Sequence, residues 1–170
     1  MHAKELEALT ADRSVADPIW VHIRSEAADI LSSDADLARL VRANILDQPS
    51  FDRAVIERLA ARLDHPDVPR AVIVEIFASI AASDPSIGEG FRADLMAVAD
   101  RDPACTRFVE PLLYFKGYHA LQTHRFAHAL MRQGRRDFAL YLQSRSSEIF
   151  QTDINPDARI GRGVFLDHAT

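Results

Sequence analysis

Three branched aliphatics, Ile154, Ile160 and Leu166, recur at six-residue intervals near the C-terminal end of the sequence. A six-residue period matches neither the 3.6 of an amphipathic helix nor the alternation of a strand. It is the repeat of a triangular parallel β-helix, in which each hexapeptide supplies one short strand and one corner. Each aliphatic is followed four residues later by a small or β-branched residue: Ala158, Val164 and Thr170. Gly161 and Gly163 stand where the backbone has to turn. One circuit takes about three hexapeptides, and a stable stack needs on the order of three repeats. Residues 152–170 therefore read as the first coil of a truncated solenoid. A lone coil leaves a layer of backbone N–H and C=O groups unpaired, so the segment is expected to be displaced, mobile or ordered only by a neighbouring chain.

Up to residue 151 the pattern is helical, and seven or eight helices are expected. Asp17-Pro18 pairs a capping carboxylate with a first-turn proline. Ile19, Ile23, Ala27 and Ile30 then mark one apolar face. A second helix is predicted over 34–46, a third over 51–63 behind a Ser50 cap, and a fourth over 69–82. The fourth is apolar nearly all round (Val72, Ile73, Val74, Ile76, Phe77, Ile80), which predicts a central helix among the most buried. Asp84-Pro85 starts a fifth, and Asp102-Pro103 a sixth. A seventh ends at Gly134, a natural C-cap, and an eighth covers 135–149. The fold class is thus an all-α domain followed by the opening of a β-helix.

The net charge of −5 and the scattered Lys and Arg argue against a nucleic-acid partner. No apolar run approaches the roughly 20 residues of a membrane span, and the charged N-terminus lacks a secretory core. One cysteine excludes an internal disulfide framework, so a cytoplasmic protein is expected.

Four polar groups crowd the last coil: Asp153, Asp157, Asp167 and His168. Asp153 and His168 are fifteen residues apart, nearly one circuit, and adjacent layers would make them neighbours. An aspartate on one imidazole nitrogen leaves the other free to accept a hydroxyl proton. On spacing alone, exposed turn residues are the plainer reading. His124 and His128 have the i, i+4 spacing of a metal clamp, but no third ligand matches, and buried or interfacial histidines are the simpler reading. No metal is expected. Cys105 falls in the first turn of the predicted sixth helix, a position that lowers a thiol pKa, although no histidine or second cysteine is near to use it.

Taken together, RDPAC, PLLYFKGYHALQTHR, QGRR and FQTDINPDARIGRGVFLDHAT, in that order from Arg101 to Thr170, resemble the bacterial serine O-acetyltransferases. These are left-handed β-helix acyltransferases with an N-terminal helical domain. The resemblance implies transfer of acetyl from acetyl-CoA to the L-serine hydroxyl, towards cysteine. It places the catalytic base on His168, its orienting carboxylate on Asp153, and the serine-holding carboxylates on Asp102 and Asp167. No bound cofactor is implied, acetyl-CoA being a co-substrate. Further implications are self-association of the helical domain as a dimer of trimers, and a sulfhydrylase partner bound through a C-terminal tail. The coenzyme A groove, an arginine with an adjoining histidine for the serine carboxylate, and that tail would all lie beyond Thr170. The chain by itself is therefore expected to be inactive. Two other readings stand beside this one: a non-catalytic oligomerisation module, and a hexapeptide acyltransferase with another acceptor. The Asp102 and Asp167 carboxylates favour an amine-bearing acceptor over a sugar.

Overall fold

A computed structural model describes residues 17–169, which carry eight α-helices. Asp17 Oδ1 accepts the Trp20 N–H at 3.4 Å, and with Pro18 in the first turn this starts α1, Pro18–Ser33. The predicted helix over 34–46 is instead broken into a 3-10 turn (Ala35–Leu37), α2 (Ala38–Val41) and a π-turn (Arg42–Leu46). Side chains take over its carbonyls. Asn44 Nδ2 donates to Leu40 O and Gln48 Nε2 to Ala43 O, both at 2.7 Å, while Arg24 caps Leu46 O at 2.9 Å. With those acceptors engaged, the ladder widens to the Asp47 N–H to Arg42 O bond.

Ser50 Oγ accepts the Arg53 N–H and opens α3, Phe51–Leu63. Asp64 Oδ1 reaches across the proline loop to the Arg70 N–H at 2.7 Å, where α4, Arg70–Ser83, begins. The Asp84-Pro85 turn leads into α5, Ser86–Arg101. No helix starts at Asp102-Pro103. Asp102 Oδ1 instead accepts the Ala104 N–H at 2.9 Å and its carbonyl accepts that of Cys105, which makes a turn. The sixth helix, α6, is only Val109–Leu113. Glu110 collects the N–H groups of Thr106 and Arg107 ahead of it. Then come α7, Lys116–Arg132, and α8, Arg136–Phe150, joined through Gly134 at φ 77°.

The fourth helix, α4, is not among the most buried; α7 is the most buried. On α4 only Ile73, Phe77 and Ile80 are buried, Ile76 is half-buried, and Val72 is 41% exposed. One flank of α4 is left uncovered by the described residues, so apolarity all round does not translate into burial all round. α7 hides its polar residues by pairing them. Gln122 donates to Asp94, Thr123 to His119 O, and His119 Nε2 bonds Leu112 O at 2.8 Å. Phe126 of α7 stacks on Phe77 at 3.9 Å between ring centroids and meets Phe91 of α5 at 5.7 Å.

After Phe150 no strand forms among the described residues; the chain runs extended across α5 and α7. Ile154, Ile160 and Leu166 are half-buried. The helices themselves supply hydrogen-bond partners to the segment's backbone. His128 Nδ1 bonds Pro156 O at 2.7 Å, His124 Nε2 bonds Ala158 O at 3.1 Å, and Arg125 donates to Gly161 O at 2.8 Å. Arg101 donates to Gly163 O at 2.9 Å, and Asp94 Oδ1 accepts the Val164 N–H at 3.0 Å. Thr152 Oγ1 donates to Ala169 O at 3.1 Å and joins the two ends of the segment. Thr170 lies outside the described residues.

Candidate functional site

The end of α5 and the end of the extended segment meet at a cavity of about 480 Å³. Asp102, Arg107, Glu110 and Lys116 line one side of it, and Phe165 through His168 the other. Gly117 allows this meeting: a methyl group there would collide with the Leu166 carbonyl oxygen, so α7 can approach the segment only at glycine.

Three of the four sequence-predicted residues, Asp102, Asp167 and His168, share this cavity. Asp102 is held as the C-cap of α5, its N–H bonded to Val98 O at 2.9 Å. His168 sits in the left-handed region at φ 49°, with Nε2 3.6 Å from Asp167 Oδ1. Asp153 does not line the cavity. Its Oδ1 accepts a 2.6 Å hydrogen bond from Gln143 Nε2 of α8. The Thr152–Ala169 bond nevertheless links the residue before Asp153 to the residue after His168.

Sequence reasoning missed Arg107, Glu110 and Lys116. Burial pushes the Glu110 carboxyl up, but the Arg107 guanidinium at 2.9 Å and the N–H groups of Thr106 and Arg107 outweigh it and hold it below the usual carboxylate range. Lys116 Nζ donates to Gln151 Oε1 at 2.8 Å. The signal for them was the loop after Asp102, hidden by reading it as helix. Cys105 is corrected with it: outside any helix, its thiol is pushed up to about 11 by burial and by Glu110 and Asp102. That is the opposite of an activated thiol.

The histidines of α7 spend a ring nitrogen each on backbone carbonyls. Burial, helped by His128, lowers the His124 pKa to about 4, and burial lowers that of His119 to about 3. Both are neutral imidazoles at neutral pH. Among the described residues no group of three or more His, Cys, Asp or Glu is arranged to hold a metal ion, and no single helix is long and apolar enough to cross a membrane.

Residues 19–123 match the family model described as "Serine acetyltransferase, N-terminal". The chain is 44% identical over 169 residues to the rice (Oryza sativa subsp. japonica) "Probable serine acetyltransferase 4", covering 99% of this chain and 54% of that protein. It is 41% identical to the serine acetyltransferase of Escherichia coli strain K12, covering 89% of this chain and 56% of that one. The crystal structure of a Brucella abortus strain S19 serine acetyltransferase in complex with coenzyme A superposes with a TM-score of 0.90 at 54% identity. That match covers 91% of this chain and 62% of the Brucella chain. The chain thus spans about half the length of the curated relatives it matches. With the family model covering well over half of its residues, the chain belongs to the serine acetyltransferase family, in the N-terminal part of that family's sequence.

Proposed function

We propose that this chain provides the helical scaffold and the serine-facing half of the active site of a serine O-acetyltransferase. The observation that carries the reading is the shared cavity, where Asp102 at the end of α5 faces Asp167 and His168 at the end of the extended segment. Two carboxylates suit the ammonium group of an amino acid. The exposed imidazole beside them suits a general base. In this reading His168 takes the serine Oγ proton as Oγ attacks the thioester carbonyl of acetyl-CoA. The C–O bond forms, the C–S bond breaks, and the proton leaves with the coenzyme A thiolate. The orienting role for Asp153 rests on the resemblance alone and requires its carboxylate to leave Gln143 for the imidazole.

In this proposal the described residues up to 151 are the helical domain, and those from 152 open a left-handed β-helix. The coenzyme A complex of the Brucella relative supports acetyl-CoA as the donor. Residues 1–170 by themselves are expected to bind serine weakly and not to turn over. The open flank of α4 supports self-association through the helices, and the resemblance makes that assembly a dimer of trimers. A sulfhydrylase partner and a cytoplasmic location complete the reading.

The test is a thiol-release assay with acetyl-CoA and L-serine, on a full-length family enzyme carrying this chain as its N-terminal part. His168→Ala should lower turnover by about a thousandfold or more. Full activity in that variant would remove the mechanism.

A further inference from the structure

The Asp94–Arg125 ion pair lies away from the cavity and has no part in the chemistry above. Asp94, on α5, is fully buried at 0% exposure, and the Arg125 side chain on α7 is 9% exposed. Asp94 Oδ2 accepts from Arg125 Nη2 at 2.6 Å, from Arg125 Nε at 3.0 Å and from Gln122 Nε2 at 3.0 Å. The other oxygen, Oδ1, is aimed at the extended segment and takes the Val164 N–H. Arg125 Nη2 also turns to the segment and donates to Gly161 O at 2.8 Å. The pair therefore offers one acceptor and one donor to a single stretch of backbone. Gly90 leaves room for it, since a Cβ there would stand 2.9 Å from Arg125 Nε.

Burying two charges is costly, and an apolar pair of equal volume would hold α5 to α7 at least as well. What an apolar pair lacks is direction. A carboxylate oxygen and a guanidinium N–H fix both where the segment lies and which residue lies there. Two residues beyond Val164, the Leu166 carbonyl rests on Gly117, and Asp167 and His168 follow into the cavity. Asp94 and Asp102 belong to the same rigid helix and its cap. One element therefore sets both walls: Asp102 directly, and His168 through Val164.

We propose that Asp94 and Arg125 are positioning residues for serine acetylation, a buried clamp that fixes the segment Gly161–Val164 and thereby the separation of His168 and Asp167 from Asp102. This rests on the serine acetyltransferase reading given above. The clamp touches no substrate and acts only through the backbone it holds. Arg125→Lys keeps the charge against Asp94 but removes the Nε bond to it and replaces a planar guanidinium of fixed direction by a rotatable ammonium.

Two measurements test it. The first is amide hydrogen exchange on the 170-residue chain. Arg125→Lys should speed exchange at residues 163–166 about tenfold while amides in α8 keep their rates. Unchanged exchange at 163–166 overturns the clamp, whatever the enzyme does. The second is kinetics in a full-length family enzyme carrying this chain. Arg125→Lys should lower kcat/KM for serine about tenfold or more and leave the acetyl-CoA KM within about twofold. Gly90→Ala, which displaces the guanidinium without removing a charge, should move the same parameters in the same direction. Serine kinetics equal to the unaltered enzyme in both variants, or losses that fall equally on serine and acetyl-CoA, overturn the positioning role. If the unaltered enzyme itself fails to acetylate serine, the functional reading fails and the exchange result still judges the clamp.

Discussion

The helical region and the extended segment behind it are held by different forces. Between Pro18 and Phe150, fully buried Phe51, Phe77, Phe91, Phe126 and Phe150 pack with Ile and Leu into one core. That attraction is large and has no direction. From Thr152 to Ala169 the large aliphatics are only half-buried, and the segment's backbone is pinned by hydrogen bonds with the side chains of His124, Arg125, His128 and Arg101 and by the Val164 N–H donated to Asp94. Those bonds are individually modest and strongly directional. Burial sets where the helices lie, and hydrogen bonding sets which residue of the segment faces the cavity. Stability and site geometry should therefore respond to different substitutions.

The largest separation should come from the core. Phe126→Ala removes a fully buried ring stacked on Phe77 and should cost about 3–5 kcal/mol of unfolding free energy, read by urea denaturation. A cost below about 1 kcal/mol would break the claim that the helices stand on this core.

Acid comes next, acting at His119 inside the helical region and at His124 where the two regions touch. Burial depresses the folded pKa of His119 to about 3 and that of His124 to about 4, against an ordinary 6.5. The folded state then holds fewer protons than the unfolded chain below pH 6.5. Stability is full above about pH 7 and falls as the pH drops, by about 2 kcal/mol at pH 5 for His119 alone. Thermal melts at pH 7.5 and 5 should show the loss, and His119→Gln should flatten much of it. A melting temperature that rises on acidification would contradict the buried neutral imidazoles.

A smaller effect belongs to the segment. His128→Phe keeps a ring but loses the bond to Pro156 O, and should cost only about 1 kcal/mol. Its mark should be faster amide exchange around Ala158 with little change in the global melt. A large global loss would show that the two regions are one cooperative unit.

How much of this was legible in the sequence follows the same division. Local chemistry read well: Asp17-Pro18 does start α1, Ser50 caps α3, and Gly134 ends the seventh helix in the left-handed region. Reading failed where a distant side chain took over a backbone group. Asn44 and Gln48 act locally on the second helical stretch, but Arg24 caps its end from another helix, which no residue near 42–46 announces. Asp-Pro is ambiguous by nature. At Asp17 it caps a helix and at Asp102 it closes a turn, which put Cys105 outside any helix. α7 was underrated because Gln122, Thr123 and His119 look exposed until their partners are known. Of the site, Asp102, Asp167 and His168 came through motif resemblance, and the cavity brings them together. Gly117 and the Asp94–Arg125 pair depend on contacts across about 30 to 70 residues of sequence, for which one sequence holds no local signal.

The central claim is that the helical region and the extended segment jointly build a serine pocket, with Asp102 as the helical contribution. The most direct measurement is the serine dependence of acetyl transfer by Asp102→Ala in a full-length family enzyme carrying this chain. The serine KM should rise about tenfold or more while the acetyl-CoA KM stays within about twofold, because only a carboxylate–ammonium contact is lost. An unchanged serine KM would contradict the account and leave the helices as scaffold alone.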